Sequence, residues 1–325
     1  MELTFPLTYA VKHIDEDIRA ASRSGGVFTA LSDEILNNNG VVYGCILNDA
    51  FEAVHVRADS SSIRNKMRGS KYVQSNIGNV FIQIKEDLIE ERFVLFSGTS
   101  CQIAGLKSYL NKEYEKLLCV DILCHGVPSP MIWKKYLEWQ ENKYKGTCIE
   151  VDFRNKRDYG WASHMESIFM DINGKKKQID SNIFTNLFYE HSILRPSCYY
   201  CPYKGIEHPA DITIADYWGI EKAAKGFDDN KGVSLVLVNN EHGKAIFDNI
   251  IKTLIYEKTN IQDSIQMPLV RSVEKPQNRD DFWKELEIKG FSEIVKKYAK
   301  SNLIESIKLL LKNYRRRIKN WRNDL

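Results

Sequence analysis

The sequence has no long apolar run and no large excess of charge of either sign. No window approaches the roughly 18 uninterrupted apolar residues of a membrane span, so no transmembrane segment is expected. Its 46 Lys and Arg residues nearly balance 43 Asp and Glu residues, which leaves a net charge of +3. That excess is too small to predict binding to nucleic acid.

The first residues, Met1 to Pro6, lack both the basic and the apolar region of a secretory signal. A cytoplasmic protein is therefore expected, in a compartment where thiols stay reduced. The sequence also lacks internal repeats, low-complexity segments and the G-x-G-x-x-G fingerprint of a dinucleotide site. What is present is a chain of 325 residues, 43% hydrophobic and 27% charged, which is ordinary for one large or two medium globular domains.

Cysteine is the residue type whose number and spacing point to chemistry. Seven cysteines in a reducing compartment, an odd number, argue against a disulfide framework and for metal or redox use. Cys198 and Cys201 form a C-x-x-C on a predicted turn, while Cys101 and Cys124 each follow an apolar, strand-like run beside a glycine. Four thiolates that converge form a tetrahedral sulfur site, which selects an iron–sulfur cluster or zinc.

The other cysteines are predicted to be spectators. Cys45 and Cys119 lie inside apolar runs, where cysteine usually serves as a small buried hydrophobe. Cys148 belongs to neither group. His125, next to Cys124, is a candidate ligand or proton donor, although a hydrogen-bonded loop histidine is the commoner case.

The first half of the chain alternates between predicted strands and helices. Strands are predicted over 40–47, 51–56, 92–98 and 117–124, and helices from about residue 25 and over 79–90, 100–110 and 130–143. This alternation predicts a partly parallel sheet with its ligand crevice at the carboxyl ends of the strands. Gly98, Cys101, Cys124 and Gly126 all follow such ends, so a functional site is expected there.

From residue 149 the pattern changes to strands and hairpins. Strands are predicted over 149–153, 167–172, 175–179, 210–219 and 232–239, with Asn173-Gly174 as a two-residue hairpin turn. Residues 241–258 and 280–325 are predicted to be helical. The expected fold class is α/β, mixed with α+β: a partly parallel α/β N-terminal region, a strand- and hairpin-rich region and a helical C-terminal tail.

The C-terminal end combines an apolar stripe with a basic cluster. The stripe comprises Leu303, Ile304, Ile307, Leu310, Leu311, Tyr314, Ile318 and Trp321, and the cluster comprises Arg315, Arg316, Arg317, Lys319 and Arg322. A helix packed on the body is the simpler interpretation. Peripheral association with a partner or an anionic membrane surface is the alternative.

Three segments could hold an anion. Ser24-Gly25-Gly26 precedes a helix, where backbone N–H groups can meet an anion, and a flexible helix start after a Ser N-cap is the alternative. Gly69-Ser70-Lys71 could hold a phosphate or be a basic surface turn. Arg154 and Lys156 lie in a polar, basic and aromatic segment and could hold an anionic substrate or cofactor phosphates.

Several motifs occur together, in one order, over about residues 20–245. They are Ser24-Gly-Gly26, Gly69-Ser-Lys-Tyr72, Gly98-Thr-Ser-Cys-Gln102, Cys124-His-Gly-Val-Pro128, Arg154-Asn-Lys156 with Gly160-Trp161, Cys198-x-x-Cys201, Asp211-Ile-Thr-Ile-Ala-Asp-Tyr-Trp218 and Gly232-Val-Ser234. With them the sequence resembles the coenzyme F420 hydrogenase/dehydrogenase beta-subunit family of the FrhB/FdhB type, in the style of relatives from anaerobic bacteria. Ser100 stands where relatives usually have proline, and Ala215 precedes Asp216 where they usually have glycine.

The resemblance implies an oxidoreductase that carries FAD and a [4Fe–4S] cluster and exchanges electrons with an organic substrate, coenzyme F420 or another. The implied cluster ligands are Cys101, Cys124, Cys198 and Cys201; the candidate cofactor contacts are Ser24, Gly25, Gly26, Gly69, Ser70, Lys71, Thr99, Arg154 and Lys156; and His125 is the candidate catalytic residue. The implied regions are 1–93 and 94–258, matching the two parts of the family, and a helical basic tail over 259–325. Because the chain lacks the ferredoxin-like domain of many bacterial relatives, a ferredoxin-like or other redox protein is the expected partner.

Two other functions stay open on residue types alone. The four cysteines could close a structural zinc site in a scaffold or binding protein. The chain could also be a family member that has kept the fold and serves as an accessory factor in surface-polysaccharide biosynthesis.

Overall fold

A computed structural model describes residues 4–299 of the chain. An eight-stranded sheet in the order β11-β1-β10-β9-β5-β4-β2-β3 forms its centre, beside a three-stranded sheet in the order β6-β7-β8. The strands are β1 Leu7–His13, β2 Val41–Leu47, β3 Ala53–Ala58, β4 Val94–Thr99, β5 Leu117–Ile122, β6 Thr147–Asp152, β7 Glu166–Ile172, β8 Lys175–Ser181, β9 Ile212–Asp216, β10 Ser234–Val238 and β11 Leu254–Thr259.

Helices pack around both sheets. They are α1 Glu16–Ala21, α2 Val27–Asn37, α3 Ser61–Asn65, α4 Val80–Ile89, α5 Ser100–Leu110, α6 Pro130–Tyr144, α7 Lys156–Tyr159, α8 Ile183–Glu190, α9 Ile220–Ala223, α10 Glu241–Ile250, α11 Arg279–Lys289 and α12 Phe291–Tyr298. Short 3₁₀ turns cover Pro196–Tyr200, Ile251–Thr253, Gln262–Ser264 and Met267–Leu269. Within residues 4–299, none of these helices combines the length and the apolar character needed to cross a bilayer.

The large sheet is mixed, which confirms the expected fold class. β2, β4, β5 and β9 pair in parallel, and the other neighbouring pairs are antiparallel. Parallel neighbours need crossover connections, and α4, α5 and α6 follow the parallel strands along the chain as such connections require. The carboxyl ends of the four parallel strands therefore lie along one edge of the sheet.

Helix α5 shows why the local sequence folds as expected. Gln102 accepts from the backbone N–H of Thr99 at 2.9 Å, as part of a capping box that opens the helix. Ile103, Leu106 and Leu110, three and four residues apart, are buried in the core. Full burial of each such side chain contributes about 1.5–3 kcal/mol, so the helix is fixed by its cap and its apolar face.

The small sheet contains the expected hairpin. Asn173 and Gly174 connect β7 to β8 and both have positive φ angles, 55° and 73°, as a two-residue turn of this type requires. Ile168 and Met170 on β7 are buried in a cluster with Trp133 of α6. The hairpin thus forms one wall of a second hydrophobic core beside the large sheet.

Three parts of the chain differ from expectation. β1 was not predicted, yet it is a buried strand inside the large sheet. The helix predicted over 241–258 ends at Ile250, and Leu254–Thr259 forms an edge strand instead, because β1 offers it a free side to pair with. The helical tail predicted over 280–325 is interrupted at Gly290 between α11 and α12, and its basic end lies outside the described residues.

The proposed regions share the large sheet. β1, β2 and β3 come from residues before 93 and the other five strands come from residues after it. The boundaries at 93 and 258 stay a prediction, and the peripheral association of the basic end does as well.

Candidate functional site

The carboxyl ends of three adjacent parallel strands bring the predicted site segments together. Thr99 at the end of β4 pairs in register with Ile122 on β5, and Ile122 pairs with Ile214 on β9. The residues that follow these strands are Ser100 and Cys101, Leu123 to His125, and Tyr217 and Trp218. They lie side by side at the edge where a doubly wound sheet holds its ligands.

The C-x-x-C segment packs against the loop that follows β5. The backbone N–H of Arg195 donates to the carbonyl of Val127 at 3.0 Å. A Cβ placed on Gly126 would lie 3.6 Å from the Cβ of Cys198. The turn that carries Cys198 and Cys201 is therefore held next to Cys124, although some 70 residues separate them along the chain.

The four predicted ligands influence one another electrostatically. Burial raises the pKa of the Cys124 thiol to about 12, Lys204 opposes this, and the thiols of Cys198 and Cys101 add to it. Burial also raises the pKa of Cys198, where the backbone at Val127 opposes the shift and Cys101 and Cys201 add to it. The four thiols therefore gather in one region of the structure.

Over residues 4–299, no group of three or more His, Cys, Asp or Glu side chains is arranged to hold a metal ion. Cys101 is exposed at the rim of the site, and its sulfur lies 3.1 Å from the Thr99 hydroxyl. Cys124, Cys198 and Cys201 are half-buried.

The three predicted spectators lie elsewhere. Cys119 is fully buried inside β5, and Cys148 is buried in the second core. Burial raises the pKa of both thiols, that of Cys148 to about 12. Cys45 is half-buried on β2, where burial raises its pKa. Position distinguishes these three from the four site cysteines, because no other cysteine is among the groups that shift their pKa values.

His125 lies in an aromatic pocket and pairs with a second histidine. Its Nε2 is 2.8 Å from Nε2 of His191, and its ring packs against those of Phe188 and Tyr189. Burial, and then His191, lowers the pKa of His125 to about 4. Burial also lowers the pKa of His191, so both rings are neutral at pH 7, and one of them donates while the other accepts. The catalytic role of His125 stays a prediction, and its partner His191 was not foreseen.

Arg154 is held in place by the end of β9. Its Nη1 donates to Asp216 Oδ2 at 2.5 Å, and the Trp161 indole donates to Asp216 Oδ1 at 2.9 Å. The Trp161 and Trp218 rings stack, with centroids 5.0 Å apart. Asp216 and Trp218, at the end of β9, therefore contact the segment that carries Arg154 and Trp161.

Positive charge accumulates around Arg154. Arg23 donates to the Arg154 carbonyl at 2.6 Å, and burial, together with Arg154, lowers the pKa of Arg23 to about 10. Lys156 donates to the carbonyls of Arg19, Ser24 and Lys231 at 2.6–3.5 Å, so it contributes its charge while its donors are already used. Burial, followed by Arg23 and Arg19, lowers the pKa of Lys156 to about 8. Cations that lower one another's pKa mark a region where an anion would be stabilised.

These cations line an open cleft of about 780 Å³. Its basic lining comprises Arg19, Arg23, Arg154, Lys156, Arg157 and Lys231, and its acidic lining comprises Glu16, Asp17, Glu150 and Asp152. Gly69 also contributes to the wall, so three predicted cofactor contacts, Gly69, Arg154 and Lys156, meet at this cleft. Arg23 was not singled out from sequence; its neighbour Ser24-Gly25-Gly26 was the only signal near it.

The glycines before α2 have a structural function. A Cβ on Gly25 would lie 2.1 Å from the Val11 carbonyl oxygen, and the Gly25 N–H already donates to the Ser234 hydroxyl at 2.9 Å. Ser24 donates to the Val233 carbonyl at 2.7 Å, and Gly26, not Ser24, is the N-cap. The helix start is observed, whereas the flavin contact of these residues stays a prediction.

Lys71 also has protein partners. Its ammonium donates to the carbonyls of Lys66, Met67 and Arg68 at 2.8–3.0 Å, at the C-terminal end of α3. Burial lowers the pKa of Lys71 to about 8. Since all three ammonium donors are already used, an anion at Lys71 would have to compete with these carbonyls. Ser70, the preceding residue, is half-buried.

A polar cluster behind Cys101 was missed from sequence. The buried carboxylate of Asp121 accepts from Ser100 Oγ at 2.6 Å and lies 2.7 Å from Nδ1 of His208. Lys204 donates to the Cys124 carbonyl from the same segment that carries His208. The signal was Asp121 itself, an acid inside an otherwise apolar strand. Ser100 stands where related sequences usually have proline, and its hydroxyl makes a hydrogen bond to Asp121 that proline could not make.

A known protein family matches more than half of the chain, including the four site cysteines. The family model for the C terminus of the coenzyme F420 hydrogenase/dehydrogenase beta subunit matches residues 91–264. No curated protein matches the chain significantly. A solved chain from the xenon-derivatised F420-reducing [NiFe] hydrogenase complex of Methanosarcina barkeri matches with a TM-score of 0.54 and 17% identity over 90% of each chain. At that identity the likeness shows a shared fold.

Proposed function

The chain belongs to the coenzyme F420 hydrogenase/dehydrogenase beta-subunit family of oxidoreductases, and from this we propose that it is an iron–sulfur flavoprotein. In this proposal it passes electrons between a [4Fe–4S] cluster, FAD and an organic substrate, either coenzyme F420 or another hydride acceptor or donor. The gathering of Cys101, Cys124, Cys198 and Cys201 at the carboxyl edge of the parallel strands is the observation that carries it.

The four thiols form a donor set that fits a [4Fe–4S] cluster, which four cysteine thiolates hold. They are near enough to raise one another's pKa, and the turn that carries two of them packs against the loop after β5. The same four sulfurs could hold a zinc ion, and the family to which the chain belongs favours the cluster. This supports Cys101, Cys124, Cys198 and Cys201 as cluster ligands.

The basic cleft is the proposed place for the anionic part of a cofactor or substrate. Arg154 is oriented by Asp216, and Arg23 and Lys156 add positive charge beside it. Phosphate or carboxylate groups suit such guanidinium and ammonium donors. Bound FAD would supply the exchange of two electrons as hydride and of single electrons. Among the other candidate cofactor contacts, Gly69 lines this cleft. The proposed contacts that are not among its lining residues are Ser24, Gly25, Gly26, Ser70, Lys71 and Thr99.

The proposed electron partner is a ferredoxin-like or other redox protein. Cys101 is the exposed member of the cysteine set, so the start of α5 is the side on which a partner could approach the centre. The start of α5 contributes no residue to the lining of the basic cleft, which comes mainly from α1, β6 and α7.

A coupled assay tests the proposal. The anaerobically reconstituted protein, with FAD added, should reduce coenzyme F420 at the expense of a reduced one-electron dye, measured by the loss of the coenzyme's absorbance. Cys124→Ser, prepared in the same way, should be inactive. A wild-type protein that binds flavin and iron but leaves F420 unchanged would limit the proposal to another organic substrate; one that binds neither would reject it.

A further inference from the structure

We propose that Lys204 is a positioning residue for the four-cysteine centre: it ties the segment after the C-x-x-C to the loop carrying Cys124 and supplies the positive charge that this centre needs. The inference rests on the proposed cluster, and it concerns a residue that neither the cysteine spacing nor the family motifs single out.

The first observation is a direct link between two ligand-bearing segments. Lys204 lies three residues after Cys201, and its ammonium donates to the backbone carbonyl of Cys124. The side chain is half-buried. A second anchor follows along the same segment, where His208 lies 2.7 Å from the carboxylate of Asp121 on β5. The segment from Cys201 to His208 is thus fastened at two points to β5 and the loop that follows it.

The second observation is the position of the charge. The ammonium of Lys204 donates to the carbonyl of Cys124, so its charge lies beside the residue that carries one of the proposed ligands. Since Lys204 comes three residues after Cys201 in the chain, the same charge also lies close in sequence to the C-x-x-C. The lysine therefore faces the loop that carries Cys124, and does not point away from it.

These observations define what Lys204 would do. Four thiolates place four negative charges in a partly buried site, and each electron added to a cluster increases the negative charge further. A fixed cation nearby offsets both, since charge interactions are strong where water is excluded. Nearby charge is one of the factors that set the reduction potential of iron–sulfur centres. The hydrogen bond to Cys124 keeps the cation in position.

Two substitutions separate charge from bulk. Lys204→Met keeps the length of the side chain and removes the charge, and Lys204→Arg keeps the charge and a donor. Lys175→Met is the control, because it makes the same charge change at the exposed hairpin of the small sheet. Each variant is purified anaerobically as the full chain. The readouts are iron per chain, the midpoint potential from a redox titration followed by electron paramagnetic resonance, and circular dichroism for folding.

We expect Lys204→Met to be folded and either to lose more than half of its iron or to show a more negative midpoint potential. Lys204→Arg and Lys175→Met should match wild type in both readouts. Wild-type iron and potential in Lys204→Met would overturn the inference, and so would a Lys204→Arg protein as defective as Lys204→Met or an equal shift in Lys175→Met. A wild-type chain that binds no iron would instead reject the proposed function on which the inference rests.

Discussion

At the scale of single residues, the seven cysteines divide by environment. Cys101, Cys124, Cys198 and Cys201 lie at one edge of the sheet and are exposed or half-buried. Cys119 and Cys148 are buried in separate apolar clusters. The sequence predicted most of this division, because cysteines after apolar runs differ visibly from cysteines within them. It could not predict the contacts of Lys204 with Cys124 and of His191 with His125, because these residues are 80 and 66 positions apart in the chain.

Serine substitutions test the division. Ser at Cys101, Cys124, Cys198 or Cys201 should each abolish or cripple iron binding, because a hydroxyl is a much poorer ligand for iron. Ser at Cys45, Cys119 or Cys148 should leave the iron content unchanged, with a loss of about 1 to 3 kcal/mol in the free energy of unfolding. Iron analysis of anaerobically purified protein checks both sets. A wild-type iron content in Cys124→Ser would show that Cys124 is not a ligand.

At the scale of elements, local sequence patterns predicted most strands and helices, whereas strands that depend on long-range pairing were missed. The strand–helix alternation over residues 40–144 and the hairpin at Asn173-Gly174 were predicted because their signals are local. β1 and β11 were missed because each becomes a strand by pairing with a partner distant in sequence: β1 with β10, and β11 with β1. Periodicity alone could not separate strand from helix over 254–259.

The start of α2 gives a test at this scale. A Cβ on Gly25 would meet the backbone of both β1 and β10, at 2.1 Å from the Val11 oxygen and 2.7 Å from the Ser234 nitrogen. Gly25→Val should therefore lower the free energy of unfolding by about 4 kcal/mol or more, and flavin and iron should be lost together with the fold.

Gly69→Ala is the matched control for that substitution. Gly69 is exposed with a φ of 82°, and no atom lies within 4 Å of the position of a Cβ. Its change should cost only about 1 kcal/mol, from the strain of a left-handed backbone. Thermal unfolding compares the two variants. A Gly25→Val protein as stable as Gly69→Ala would show that the approach of α2 to the sheet is wrong.

At the scale of the whole molecule, neutral histidines that are buried or half-buried make the fold sensitive to acid. Burial lowers the pKa of His55, His125 and His164 to about 4, against 6.5 for an ordinary histidine. Between these values the unfolded chain binds more protons than the folded one. The contribution of these rings to stability is therefore full above pH 6.5. It is lost as the pH falls towards 4, by about 1.4 kcal/mol per pH unit for each ring.

His55→Gln should make this loss shallower, since one of the three rings is removed. His242→Gln should act in the opposite direction, because the Asp211 carboxylate accepts from the His242 ring and raises its pKa, so that the bound proton stabilises the fold at low pH. The free energy of unfolding in urea at pH 7 and pH 5 gives the slope for each variant. Equal slopes in wild type and His55→Gln would contradict a buried, neutral His55.

The central claim, that the four gathered cysteines hold an iron–sulfur cluster in a redox protein, is tested most directly by the metal content of the wild-type chain. The protein is purified without exposure to oxygen, and iron, sulfide and zinc are measured per chain beside the absorption spectrum. We predict a brown protein with about four irons and four sulfides per chain. Stoichiometric zinc without iron in that same preparation would contradict the claim and identify the site as a structural one.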